Sequence, residues 1–189
     1  MIGRFHAKYT DAYVSLVIDD TQGIVDRVLT GKIEAGVVGA RIAQDYLQYT
    51  PLMKDEMILV TPMNHPWAET GVLEKTENLC RAAFIMREQG SGTRTAMLEA
   101  LSAQGVTSSD LNVVAELGST EAVRQAVKAG LGVSILSRRA VEDDLRFNLI
   151  KHIKAPGLNL KRTFLLVTHG SRTRSPLGEA FIEFLKEKN

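Results

Sequence analysis

Ala83-Phe84-Ile85-Met86 is an apolar run, Gly90-Ser91-Gly92-Thr93 is a small polar turn, and Met97, Leu98 and Leu101 follow at helical spacing. The order is strand, tight turn, helix. The same design recurs downstream. Val113 to Leu117 reads as a strand, Gly118-Ser119-Thr120-Glu121 as the turn, and Ala122, Val123, Ala126 and Val127 as the inward face of a helix. Gly130 and Gly132 end that helix, and Val133 to Leu136 forms the next strand. Strands alternating with helices in this way predict an α/β protein with a mainly parallel sheet.

The pattern extends in both directions. Upstream, Glu56 to Thr61 is a strand closed by Pro62, and Ala35 to Val38 is a short buried strand ending at Gly39. Asp20-Thr21 caps a helix whose apolar face is Ile24, Val25, Val28 and Leu29 and which stops at Gly31. Val14, Leu16 and Ile18 alternate as a strand, and Ile2, Phe5 and Tyr9 place Met1 inside a first helix. Downstream, Thr163 to Thr168 is the last strand. Ser175-Pro176 starts a final helix with Leu177, Ala180, Phe181, Phe184 and Leu185 on one face. Two polar breaks, Asn64 to Glu77 and Lys154 to Arg162, read as crossings between two lobes.

The chain has 189 residues, 44% hydrophobic and 24% charged, which suits a globular protein with a sizeable core. A net charge of +1 gives no basic footprint for phosphate backbones. The single cysteine, Cys80, excludes an internal disulfide and reads as a core thiol. No apolar run suits an export signal or a membrane span, so a cytoplasmic location without membrane partners is expected.

The two strand-turn-helix units carry the chemistry. Open α/β sheets bind ligands where strands end, and helix N-termini present free N–H groups to anions. Ser91, Thr93, Ser119 and Thr120 add hydroxyls, while Gly90 and Gly92 allow close backbone approach. The same residues serve as ordinary helix caps, and the sequence leaves both roles open. No catalytic set is found: Gly90-Ser91-Gly92 lacks the third glycine of a dinucleotide fingerprint and the Gly-Lys-Ser/Thr ending of a phosphate loop. His6, His65, His152 and His169 lack metal-ligand spacing, so neither a metal nor a cofactor is expected. Asp143-Asp144 and Glu187 read as solvated faces, Trp67 as packing, and Arg94 as either an ion pair or an anion contact.

The order of these pieces resembles the effector domain of LysR-type bacterial transcription regulators over nearly the whole chain. The resemblance rests on Arg4 to Tyr9 with Val14-Ser15-Leu16, on Val28 to Val38, and on Asp55-Glu56 with Leu59-Val60 and His65-Pro66. Phe84-Ile85 with Gly90-Ser91-Gly92-Thr93-Arg94 is its most specific piece, and Gly130 to Leu136 and the final helix complete it.

That resemblance implies two Rossmann-like lobes joined by two crossing strands, similar to type 2 periplasmic binding proteins, with lobe I lacking its first strand. The lobes would be 1–66 with 163–189, and 67–162. It also implies a small polar or anionic effector in the interlobe cleft, bound by Ser91, Gly92 and Thr93, with Ser119 and Thr120 beside them. Gly39 and Ala40 would leave room or contribute backbone from lobe I. A homodimer is implied, with Ile2, Phe5, Val14, Leu16 and Ile24 either at its contact or buried within the subunit. DNA would be gripped only through a winged helix-turn-helix absent from this chain. A solute-binding protein for uptake and an enzyme on the same two-lobed fold are the alternatives.

Overall fold

Met57 and Leu59 on one strand, and Ile58 and Val60 alternating with them, are all buried. A strand apolar on both faces must be covered on both, and this organises half of the molecule. The structure is a computed structural model and describes residues 2–187. The expected inclusion of Met1 in the first helix lies outside the described residues. Contacts divide the chain into a first unit, Met1–Met53 with Thr163–Asn189, and a second, Lys54–Arg162.

In chain order the elements are α1 (Ile2–Lys8), α2 (Thr21–Leu29), β1 (Ala35–Val38), β2 (Leu47–Pro62), α3 (Pro66–Thr70), β3 (Phe84–Arg87), α4 (Gly92–Ser102), β4 (Val113–Leu117), α5 (Thr120–Lys128), β5 (Ser134–Ser137), α6 (Glu142–Arg146), β6 (Ile150–Ile153), β7 (Lys161–His169) and α7 (Pro176–Lys186). None of these helices is long and apolar enough to cross a membrane.

In the second unit, β2 lies between β5 and β6, antiparallel to both. β3 and β4 run parallel, and a parallel bridge from Phe84 to Val133 ties β3 to the start of β5. Met57, Leu59, Phe84, Met86 and Ile135 face a core closed by Met97 and Leu101 of α4. Ile58, Val60, Ile85 and Leu136 face the opposite core, closed by Val123 and Val127 of α5. Each such side chain stabilises the fold by about 1.5–3 kcal/mol on burial. Trp67 packs against the α4 core, as the sequence led one to expect, and the half-buried Cys80 packs against the same core.

In the first unit, β7 pairs antiparallel with β1 and lies between β1 and β2. Successive β7 residues choose opposite sides: Val167 packs with Ile24 and Val28 of α2, and Leu166 with Ile182 and Leu185 of α7. Phe5 of α1 is fully buried and meets Phe181 and Phe184 edge-on. Asp20 caps α2 by accepting from Gly23 N at 2.7 Å, and Ser175 caps α7 by accepting from Gly178 N at 3.0 Å.

Three expectations need correction. The strand expected at Val14 to Ile18 does not form. Those residues join no ladder among the described residues, and Leu16 and Ile18 are 65% and 88% exposed. Alternation marks two faces but cannot supply a neighbour to hydrogen-bond. The sheet is parallel at β3, β4 and the bridge to β5, but the ladders of β2 and β7 are antiparallel. The divisions between units fall inside strands, between Met53 and Lys54 in β2 and between Arg162 and Thr163 in β7. The second half of β2 is held by β5 and β6. Finally, Asp144 is not on a solvated face: it is buried and paired with Arg124 and Lys128.

Candidate functional site

Gly90 adopts φ +89°, a left-handed turn that glycine enters without strain. It swings the chain from the end of β3 into α4. Ser91 stands at the N-cap with extended backbone, yet its side chain makes no capping hydrogen bond. The residue is 2% exposed. Its hydroxyl has no hydrogen-bond partner among the described residues, and it is not one of the fully enclosed unpartnered atoms, which are Thr61 Oγ1 and Arg174 Nε. The little surface that Ser91 keeps therefore includes its hydroxyl.

The N–H groups of Gly92, Thr93 and Arg94 likewise have no acceptor among the described residues. No acidic residue occupies the first turn of α4 to offset its positive end. An uncapped, uncompensated helix start beside a buried hydroxyl without a partner is unusual, since buried polar groups are nearly always satisfied. It offers donors to an incoming acceptor.

At α5 the turn is differently disposed. Ser119 is exposed and caps the helix, accepting from Ala122 N at 3.1 Å. Glu121 lies in the first turn. The two turns are tied together by Arg87, the last residue of β3. Its Nη1 donates to Thr120 Oγ1 at 2.6 Å, while its Nε and Nη2 donate to Glu88 at 2.6 and 2.5 Å. Burial would raise the Glu88 carboxyl, but the hydrogen bonds from Arg87, a backbone hydrogen bond and the charges of Arg87 and Arg94 outweigh it, leaving it below its ordinary value. Arg94 forms the ion pair that is one of its two expected roles: Nη1 donates to the Arg87 carbonyl at 2.9 Å and to Glu116 at 2.6 Å.

Thr93 is held from below. Its Oγ1 accepts from Arg162 Nη1 at 3.1 Å, and Arg162 Nε donates to Asp55 Oδ2 at 2.8 Å. Ser137 donates to the other Asp55 oxygen at 2.7 Å. The Arg162 and Asp55 side chains are 7% and 0% exposed. Sequence reasoning passed over Arg87 and Arg162 as functional residues, because their partners lie far away in the chain.

Of the residues singled out from sequence, Ser91, Gly92, Thr93, Ser119 and Thr120 thus lie at two helix starts of the second unit. Gly39 and Ala40 are half-buried and follow β1 in the first unit. Two concavities within the second unit lie elsewhere: about 130 Å³ along Glu56–Leu59 and His152–Lys161, and about 350 Å³ beside Leu73–Glu77.

The family model described as "LysR substrate binding domain" matches residues 1–189. This chain belongs to the LysR substrate-binding domain family. Among LysR relatives, a probable RuBisCO transcriptional regulator of Guillardia theta is 32% identical over 184 residues, covering 96% of this chain and 59% of the relative. One of Nostoc sp. is 30% identical, over 96% of this chain and 54% of its own. The chain thus spans less than two thirds of those relatives. The regulatory domain of CcmR from Synechocystis PCC6803, solved in complex with 2-PG, superposes with a TM-score of 0.88 at 27% identity, over 100% of this chain and 89% of its own. The effector-binding domain of QuiR, solved with shikimate, has a TM-score of 0.87 at 18% identity, over 98% of this chain and 87% of its own, and supports the LysR fold alone.

Proposed function

We propose that this LysR domain senses a small polar or anionic metabolite, seated on the start of α4 at Ser91, Gly92 and Thr93 with Ser119 and Thr120 beside it. The observation that carries the reading is the α4 entrance: free N–H groups and an unpartnered, nearly buried Ser91 hydroxyl. The 2-PG complex of the related CcmR domain supports an acid as ligand. The domain acts as a binding module rather than an enzyme, as the transcriptional-regulator names of its relatives suggest. Within a longer cytoplasmic regulator, the metabolite biases an attached DNA-binding domain by preferring one conformation over another.

A homodimer is part of the proposal, supported by Tyr13, Leu16 and Ile18, which expose apolar side chains on one short segment. Light scattering should give twice the chain mass at high concentration, and the Leu16→Glu, Ile18→Lys double variant should give the monomer.

The primary experiment is a thermal-shift screen of organic acids, sugar acids and inorganic anions, including 2-phosphoglycolate and shikimate, on wild type and Thr93→Ala. A ligand that binds only the folded state raises the midpoint. A shift lost in Thr93→Ala bears the reading out. A shift unchanged by Thr93→Ala and by Ser91→Ala puts the ligand elsewhere.

A further inference from the structure

We propose a second binding site in the second unit, beyond the end of α4 that lies away from Ser91: a hollow around Thr76, Gln104 and Gly157 that takes a neutral polyhydroxylated compound of about monosaccharide size. It shares no residue with the α4 entrance, and neither site depends on the other.

The hollow has about 350 Å³ of free space and is lined by residues 73–77, by Gln104 and by Ala155 and Gly157. That volume is in the range of small-molecule sites, about 300–1,000 Å³. Two stretches that read from sequence as polar breaks meet here, tied by Leu73 N donating to the Lys154 carbonyl at 2.8 Å. Gln104 follows the C-terminal end of α4, whose 11 residues separate it from the Ser91 turn by roughly 15 Å of helix.

Thr76 is 8% exposed, yet its Oγ1 has no hydrogen-bond partner among the described residues. Nor is that oxygen sealed away, since the fully enclosed unpartnered side-chain atoms are Thr61 Oγ1 and Arg174 Nε. The hydroxyl of this otherwise buried residue therefore opens into the hollow that the residue lines. Buried hydroxyls are nearly always satisfied, so one left over points to an absent partner. A Cβ placed on Gly157 would stand 3.2 Å from Thr76 Oγ1 and 3.5 Å from Gln104 Oε1, so hydroxyl and amide converge on one spot. The turn itself does not ask for glycine. Leu158 N donates to the Ala155 carbonyl at 3.0 Å across Pro156-Gly157, and Gly157 is not among the glycines of positive φ; such a turn accepts most residues. What the missing side chain does at position 157 is leave Thr76 and Gln104 within reach.

The lining selects the ligand class. A threonine hydroxyl and a primary amide each donate and accept, and so does every alcohol group of a polyol. Glu74 and Glu77 are exposed acceptors that disfavour an anion, with Lys75 the single cation of the lining. An ammonium group would meet no buried carboxylate, because the buried polar group is the neutral Thr76. Leu73, 3% exposed, and Ala155 give one small apolar surface, enough for the C–H face of a ring and too little for an apolar compound.

The test is a proton–nitrogen correlation NMR titration of this chain with D-ribose, D-glucose and myo-inositol up to about 50 mM, where a millimolar binder approaches saturation. At least one should give saturable shifts at the amides of Thr76, Gln104 and Gly157 and leave those of Ser91 to Arg94 in place. Sodium acetate and ethanolamine should move none of these. Thr76→Val keeps the shape without the hydroxyl. It should weaken the polyol by about threefold to tenfold, the net worth of a neutral hydrogen bond. The thermal midpoint of the free variant should not fall, because the hydroxyl has no protein partner to lose. Thr76→Ser should restore the affinity, and Gly157→Ala, which sets a methyl against the hydroxyl, should reduce it.

Absence of a saturable shift with all three polyols overturns the proposal. So does polyol binding that Thr76→Val and Gly157→Ala leave unchanged, or tighter binding of acetate or ethanolamine at these amides. A lowered midpoint in free Thr76→Val, with affinity unaltered, would assign the hydroxyl to the fold instead. Each of these results leaves the effector reading standing, which fails separately on Ser91 and Thr93.

Discussion

Asp144, its side chain 3% exposed, accepts a hydrogen bond from Arg124 Nε at 2.7 Å and so fastens α6 to α5. Lys128 lies 3.3 Å from its other oxygen. The Arg124 hydrogen bond, opposed by burial and reinforced by Lys128, holds the Asp144 carboxyl below the ordinary carboxylate value. A group whose folded value is depressed contributes stability above its unfolded value and loses it as pH falls through the folded one. Urea midpoints should therefore decline below about pH 4, and Asp144→Asn should decline less steeply there. At neutral pH Asp144→Ala should cost about 1–3 kcal/mol, below the full figure for a buried pair because Arg124 is partly solvated.

Gly132 should not tolerate a side chain. A Cβ there would overlap the Ala83 carbonyl oxygen, the same oxygen that accepts from Val133 N at 2.8 Å. Backbone cannot step aside as a side chain can, so Gly132→Ala should destabilise by about 1–3 kcal/mol in urea denaturation. Gly118→Ala has open space around its Cβ and should fall within about 0.5 kcal/mol of wild type.

His65 caps α3 by accepting from Trp67 N at its Nδ1, 3.2 Å away, and burial lowers its pKa from the ordinary 6.5. Protonating Nδ1 would remove the acceptor. The unfolded chain takes up this proton first, so stability should fall as pH drops below the ordinary value and level off below the folded one. His65→Asn keeps a capping oxygen without titrating. Comparing urea midpoints at about pH 7.5 and pH 5 should show a smaller loss in this variant than in wild type.

Ile18 should be replaceable. It is 88% exposed and joins no strand, so Ile18→Lys should leave the monomer's stability within about 0.5 kcal/mol of wild type. A loss of several kcal/mol at a concentration where light scattering shows only the monomer would show that this segment is buried within the subunit.

Much of the fold was legible because its signals are local. Phe84 to Thr93 and Val113 to Val123 announce strand, turn and helix within a dozen residues or so, and the Ser175-Pro176 start of α7 is equally self-contained. The site was legible to the same depth: its hydroxyls and glycines, but not what holds them. Arg162 reaches Thr93 across 69 positions and Asp55 across 107, and nothing in the spacing marks such a partner. Val14 to Ile18 misled for the opposite reason, because an alternating pattern is local while a strand needs a neighbour from elsewhere. The acidic sequence of the five-residue α6 looks solvated throughout, although its Asp144 is buried.

The second unit is one uninterrupted stretch, whereas the first is made of two pieces, and β1 pairs Ala35 with Thr168 from the far piece. On the ribosome this inverts the usual N-terminal-first order. Residues 54–162 can fold as soon as they emerge, while residues 1–53, made before them, must wait, the β1 edge unpaired, until β7 follows. The piece made before the second unit thus matures after it, and that interval is when it most depends on protection from aggregation.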